Sequence, residues 1–228
     1  VYDQIRQSVC YSNTNVKIAA SHAGITLGED GATHQIVEDL GLMRMLPNMT
    51  VINPCDYNQT VAATIAAARM NGPVYLRFGR PGVPNFTPAD QTFEIGKALK
   101  MTEGEDISIF ATGHLVWEAL EAAKALAGKG IKAEVIDIHT IKPLDKKAVI
   151  ESVAKTGAAV CAEEHLIAGG LGEAIAGLLA AEHPAPLEYV AINDCFGQSG
   201  TPKELMKAYG LDAAHIVIAA EKAMARKR

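Results

Sequence analysis

This sequence has no Cys-x-x-Cys pair, no Gly-x-Ser-x-Gly elbow, no phosphate-loop lysine and no His-Glu-x-x-His helix. Its four cysteines, at positions 10, 55, 161 and 195, are far apart and match no zinc spacing, so reduced core or subsurface thiols are expected. The other three absences exclude a hydrolase nucleophile elbow, a P-loop nucleotide site and a zinc-protease helix. No apolar run reaches membrane-spanning length, and no signal peptide is visible. These point to a cytoplasmic protein without a membrane partner. Acidic and basic residues are interspersed, with a net charge of −5 and no basic stripe, which argues against a nucleic-acid surface. There is no short repeat or low-complexity segment. The chain also lacks an initiator methionine: Val1 falls inside a helical pattern, so the native product is expected to extend upstream.

What is present is the balance of a globular protein, with 49% apolar and 21% charged residues in a chain of 228. That length suits one large domain or two of ordinary size, with a core that needs no metal or disulfide. The most informative stretch is 21–35, which carries His22, Glu29, Asp30 and His34 among Gly24, Gly28 and Gly31. Glycines let a backbone turn and approach a ligand closely. A carboxylate between imidazoles can move protons near neutral pH. A polar surface loop turned by its glycines is the alternative.

The neighbouring segments place this loop. Val1, Ile5 and Val9 have helical spacing, and 16–20 reads as a buried strand ending where the loop begins. The carboxyl ends of such strands are where open α/β sheets bind ligands. A helix is expected to start at His34, with Thr33 as its N-cap, so that its N-terminus points at the same site. Pro47-Asn48 ends that helix, 50–53 is a second strand, Asp56 caps an alanine-rich helix, and 74–78 is a third strand. Residues 79–94, with Pro81, Pro84 and Pro88, read as a linker. Strands at 107–112, 133–138, 158–162 and 187–192 then alternate with helices at 114–128, 145–155 and 170–183, and two helices end the chain. The fold class is therefore α/β, with two consecutive domains, each an open, mostly parallel sheet flanked by helices.

Arg80 should project from the carboxyl edge of the third strand, on the side of His22. There it could grip a phosphate or carboxylate bidentately, or pair with Asp39 or another surface acid. Glu163-Glu164-His165 followed by Gly169-Gly170-Leu171-Gly172 could form an anion-binding turn, but close strand–helix packing is the preferred reading. His114 at another strand end is equally ambiguous. His139, His183 and His215 read as surface or interface residues.

Three blocks then carry a resemblance: Ser-His-x-Gly-Ile-x-x-Gly-Glu-Asp-Gly-x-Thr-His-Gln at 21–35, Leu-Pro-Asn-Met-Thr-Val-Ile-Asn-Pro-Cys-Asp at 46–56, and Gly-Pro-Val-Tyr-Leu-Arg-Phe-Gly-Arg at 72–80. Together they resemble transketolase, and more closely the C-terminal subunit of split transketolases, over essentially the whole chain. The resemblance implies a partial pyrimidine-binding domain at 1–90, a linker or entry strand at 91–104, and a Rossmann-like transketolase C-terminal domain at 105–228. It implies thiamine diphosphate chemistry that passes a two-carbon ketol unit from a ketose phosphate to an aldose phosphate, as in the pentose phosphate pathway. The cofactor supplies the carbanion and the protein the orientation and proton handling.

Carried over residue by residue, His34 matches the histidine near the aminopyrimidine and the sugar hydroxyls, and Asp30 the aspartate that reads the donor's C2 hydroxyl. His22 and Arg80 match groups that hold the substrate phosphate. The family's activating glutamate and stacking aromatics lie upstream of the position matching Val1. Its diphosphate and metal, Mg²⁺ or Ca²⁺, are held by the N-terminal half. The chain alone is thus expected to be inactive and to need an N-terminal partner subunit, as a homodimer within a heterotetramer. 1-Deoxyxylulose-5-phosphate synthase, the β subunits of 2-oxoacid dehydrogenases, and a non-catalytic assembly subunit are the other readings.

Overall fold

A computed structural model of the chain describes residues 1–227. A short helix, α1 (Tyr2–Gln4), runs into a π-helical stretch, Ile5–Tyr11, and then into strand β1 (Lys17–Ala20). β2 (Thr50–Ile52) and β3 (Val74–Arg77) are buried at every position, as strands covered on both faces must be. β3 lies between the other two and parallel to both, with Tyr75 opposite Ile18 on one side and Val51 on the other. Helix α2 (Asp39–Met45) connects β1 to β2, and α3 (Tyr57–Arg69) connects β2 to β3. Asp56 caps α3 as expected, accepting from the Gln59 N–H at 2.8 Å. Ala63 and Ala67, four residues apart, let α3 lie close against Ile52, Val74 and Leu76.

The second sheet contains β4 (Leu99–Lys100), β5 (Ile107–Ala111), β6 (Ala133–Asp137), β8 (Ala159–Leu166) and β9 (Leu187–Ile192), in the order β4-β6-β5-β8-β9. All pairings are parallel except that of β4 with β6. Helices α4 (Leu115–Ala127), α5 (Lys146–Thr156) and α6 (Leu171–Glu182) make the crossovers, and α7 (Pro202–Ala208) and α8 (Ala213–Met224) end the chain. From β5 the chain winds outward to β6, and from β8 it winds outward to β9 in the other direction. The gap between the carboxyl ends of β5 and β8 is therefore the switch point at which such sheets usually take ligands.

Two differences from the sequence reading concern how the halves join. Thr140–Lys142 forms a further strand, β7, that adds antiparallel to β2, so the first sheet has the order β1-β3-β2-β7. Three residues carry no readable period. Lys142 then donates from Nζ to the carbonyls of Arg44 (3.0 Å) and Leu46 (2.6 Å) at the end of α2, where a cation is favourable. The second difference is at α2, which starts at Asp39 rather than at His34, with Glu38 and not Thr33 at its N-cap. Residues 35–37 are drawn out instead. Ile36 bridges to Gly24, and the Val37 carbonyl accepts from Leu166 N at 2.8 Å. These tertiary bonds hold the segment extended, so α2 does not begin at the exit of the loop.

The apolar interior runs across both sheets. Ile25, Val37 and Cys55 join the core around β5, α4 and α8. Leu40, Met43, Val51 and Tyr75 join the core around Phe110, Ile136 and Val153.

Candidate active site

The loop 21–35 follows β1, and its burial alternates by role. Ala23 to Gly28 and Gly31 are buried, whereas His22, Glu29, Asp30 and His34 are exposed. The spacers anchor the loop and the chemistry-bearing side chains face outward. Short turns close it internally, from Gly28 N to Ile25 O (3.1 Å) and from His34 N to Gly31 O (3.0 Å). The Gln35 amide spans it, donating from Nε2 to the carbonyls of Ile25 (3.0 Å) and Gln198 (3.0 Å). His22 sits at φ +67°, a left-handed conformation that costs a non-glycine residue about 1 kcal/mol. Its Nδ1 lies 2.9 Å from Ser21 Oγ. His34 Nδ1 lies 3.0 Å from Thr33 Oγ1, so Thr33 orients the histidine ring instead of capping a helix.

Arg80 leaves β3 at the same sheet edge. The two chain exits are stitched together by Phe78 N to Ala20 O (2.8 Å) and Ala23 N to Phe78 O (3.0 Å). Arg80 reaches across to the loop, donating from Nη1 to Leu27 O (2.7 Å) and to Asp30 Oδ2 (3.2 Å). Asp30 is thus the acid that Arg80 meets. Both side chains are about half exposed, so the pair is weak and open to exchange for an incoming anion. The structure therefore brings Asp30 and Arg80 into contact and sets His22 on the neighbouring strand exit. His34 has its hydrogen bond to Thr33 and none to His22 or Asp30 among the described residues.

Asp39 is engaged elsewhere. It takes a bidentate pair from Arg77, at 2.8 Å from Nε and 3.0 Å from Nη2, and a bond from the Tyr75 hydroxyl at 2.7 Å. Burial works to raise the Asp39 carboxyl pKa, but the Arg77 charge and these hydrogen bonds outweigh it and hold it below the usual range. Arg77 also donates from Nη2 to the Glu164 carbonyl at 3.0 Å, which joins β3, α2 and β8 beneath the loop.

The segment 163–172 resolves into two separate roles. The Glu163 carboxyl group accepts from the N–H groups of Leu171 (2.7 Å) and Gly172 (2.8 Å), so the N-terminus of α6 is already occupied by a side chain of the chain itself. Close packing holds as well: a Cβ on Gly172 would fall 2.6 Å from the Tyr189 ring. Glu164 points the other way, to the loop, and accepts from Thr26 N at 2.6 Å. No spacing in the sequence signals that contact, because its partners are 138 positions apart. His165 accepts from Gly41 N at 3.2 Å in the first turn of α2, and its Nδ1 lies 2.7 Å from the Leu166 carbonyl. His139 is buried against Phe93, with ring centroids 4.1 Å apart, and burial pulls its pKa down to about 4. Cys10, Cys55 and Cys161 are buried and Cys195 is exposed; all four are free thiols.

The donors available bear on cofactor binding. Two exposed carboxylates and two imidazoles on a glycine-rich loop suit the heterocyclic and hydroxyl-bearing part of a cofactor–substrate pair. Among the described residues, no three His, Cys, Asp or Glu side chains gather as metal ligands. No helix is long and apolar enough to cross a membrane.

Comparisons with known proteins place the family and fold of the chain. The transketolase pyrimidine-binding domain family matches residues 1–85, and the transketolase C-terminal domain family matches 96–216. The 6-deoxy-6-sulfo-D-fructose transketolase subunit SqwH of Clostridium sp. (strain MSTE9) is 44% identical over 227 residues, which is 100% of this chain and 70% of that protein. The 1-deoxy-D-xylulose-5-phosphate synthase 1 of Geobacter sulfurreducens is 38% identical over 231 residues, covering 99% of this chain but 36% of that one. A solved structure described as a split gene transketolase, inactive beta4 tetramer, superposes with a TM-score of 0.94 at 48% identity, covering 100% of this chain and 73% of that chain.

Proposed function

The chain belongs to the transketolase family, and from that premise we propose that it is the C-terminal component of a split, thiamine-diphosphate-dependent transketolase. Its reaction is the transfer of a two-carbon ketol unit from a ketose phosphate to an aldose phosphate in the cytoplasmic pentose phosphate pathway. The observation that carries this reading is the loop 21–35, with its buried spacers and its exposed His22, Asp30 and His34, on the same sheet edge as Arg80. When bound, thiamine diphosphate supplies the carbon centre that accepts and releases the two-carbon unit.

The residues of this chain then have distinct tasks. His34, oriented through Thr33, faces the aminopyrimidine end and holds or moves a proton at its free ring nitrogen. Asp30 accepts a hydrogen bond from a donor-sugar hydroxyl once a substrate anion draws Arg80 away from it. Arg80 and His22 bind the substrate phosphate. The diphosphate and its Mg²⁺ or Ca²⁺ fall to an N-terminal partner subunit, with this chain forming a homodimer inside a heterotetramer. We divide the chain accordingly into 1–90, 91–104 and 105–228.

The test is reconstitution of the chain with that partner, assayed with xylulose 5-phosphate and ribose 5-phosphate. The complex should be active and the chain alone should not. His34→Ala should lower the rate of the complex by about 10²–10⁴, the usual contribution of a positioned proton carrier. An unchanged rate would remove His34 from the mechanism. The similarity to the Geobacter synthase supports a second reading, a synthase-type component, which inactivity of the complex with this sugar pair would favour.

A further inference from the structure

We propose that the second domain acts as the platform of the active-site loop, with Glu164 and His114 as positioning residues that hold His22, Asp30, His34 and Arg80 in place. The inference rests on the functional reading above and deepens it, since it gives the second domain a part in substrate recognition.

The loop has no regular secondary structure of its own beyond one isolated bridge, and its internal turns are short. Phe78 and Arg80 tie it to its own half of the chain at Ala23 and Leu27, and further fixed points come from the other half. The Glu164 carboxylate, on β8, accepts from Thr26 N at 2.6 Å with both groups buried. Gly24 lies flat against the same carboxylate: at φ +79°, a Cβ there would stand 2.2 Å from Glu164 Oε1. Further along, a Cβ on Gly31 would meet Ser199 Oγ at 2.5 Å, and Gln35 binds the Gln198 carbonyl. His114, after β5, serves the other chain exit, since a Cβ on Gly79, next to Arg80, would fall 2.0 Å from its ring.

Glu164 and His114 flank the switch point between β5 and β8, the crevice in which a sheet of this topology usually binds a ligand. Here Gly24 and Thr26 of the loop pack against Glu164. Ile25 supplies the apolar contact of ordinary domain packing, and beside it the chain sets a polar one. Glu164 is a buried carboxylate with no lysine or arginine in salt-bridge range among the described residues, and the nearest cation-forming group is His114 Nδ1 at 3.7 Å. A buried anion needs hydrogen-bond donors, and the donor provided is a backbone N–H of the loop. The clamp is itself braced, because the Glu164 carbonyl accepts from Arg77, which is paired with Asp39, and Asp39 in turn accepts from the Tyr75 hydroxyl.

The experiment combines amide hydrogen exchange on the purified chain with steady-state kinetics of its complex with the N-terminal subunit. Glu164→Ala should speed exchange in the 21–35 peptide at least about tenfold, the loss expected for a charge-assisted bond. Exchange in 107–111 should stay unchanged. In the complex, the same substitution should raise KM for the sugar phosphates by about tenfold and also lower kcat, because His34 loses its position together with Asp30, His22 and Arg80. Glu164→Gln retains an acceptor oxygen for Thr26 N and should restore both readouts. Gly24→Ala, which attacks the contact from the loop side, should give the same pattern. Adding Glu164→Ala to Gly24→Ala should cause no further loss, because the added methyl then enters vacated space. Unchanged exchange and KM in Glu164→Ala, Gln behaving as Ala does, or full additivity in the double variant would each overturn the inference. The two readings fail separately. A wild-type complex without ketol transfer but with the expected exchange pattern refutes the activity and leaves the platform standing. An active complex with unchanged exchange does the reverse.

Discussion

Asp137 closes β6 with its side chain fully buried, and its carboxyl is pushed up from 3.8 to about 7. Burial is the main cause, opposed by the hydrogen bond that Oδ2 accepts from Gln59 Nε2 at 2.5 Å. The other oxygen, Oδ1, has no partner among the described residues. Because the folded pKa is raised, the folded chain holds a proton that the unfolded chain releases between about pH 4 and about pH 7. Stability should therefore fall as pH rises through that window, with the full penalty present above it. A carboxyl moved from 3.8 to about 7 corresponds to about 4 kcal/mol, at ~1.4 kcal/mol per tenfold change in proton affinity.

Asp137→Asn keeps an acceptor for Gln59 and has no proton to lose. It should be close to neutral near pH 4 and should stabilise the chain by up to about 4 kcal/mol near pH 8. Urea unfolding of both proteins across this range measures the difference, and the shared apolar core leads us to expect one transition. Glu163, raised by burial to about 7, adds a slope of the same sign, whereas His139, lowered by burial to about 4, adds one of the opposite sign. Comparing variant with wild type at each pH cancels both. A stability difference that does not change with pH would refute the reasoning.

Two further outcomes follow from the packing beneath the loop. Arg77→Met should cost about 3–5 kcal/mol in urea unfolding, because it strands the buried Asp39 carboxylate, and adding Asp39→Leu should recover most of that loss. Gly169→Ala should destabilise by about 1–3 kcal/mol, since φ there is +78° and the new Cβ would stand 2.9 Å from the Gly41 backbone; a melting temperature equal to wild type would show that this approach of α2 to the β8–α6 turn is looser than drawn.

The sequence by itself determined the parts that depend on near neighbours. The all-apolar run at 74–76, the Asp56 cap three residues before its Gln59 partner, and the strand–helix alternation were all legible, because period and capping act within one or two turns of chain. The loop 21–35 was legible for the same reason: its glycines and its chemistry-bearing side chains are contiguous. What the tertiary structure decided involves partners far apart in sequence. Thr33 is a reasonable N-cap locally, yet α2 waits until Asp39, because Gly24 and Leu166 hold residues 36 and 37 extended. β7 is too short to show a period and exists because β2 had an open edge. The Glu163-Glu164 pair looks uniform in sequence, but adjacent strand residues face opposite sides, so one carboxylate caps α6 and the other clamps the loop. Sequence could name the side chains of the site, but their orientation depends on a buried carboxylate 138 positions from the N–H it holds, a distance that no local pattern spans.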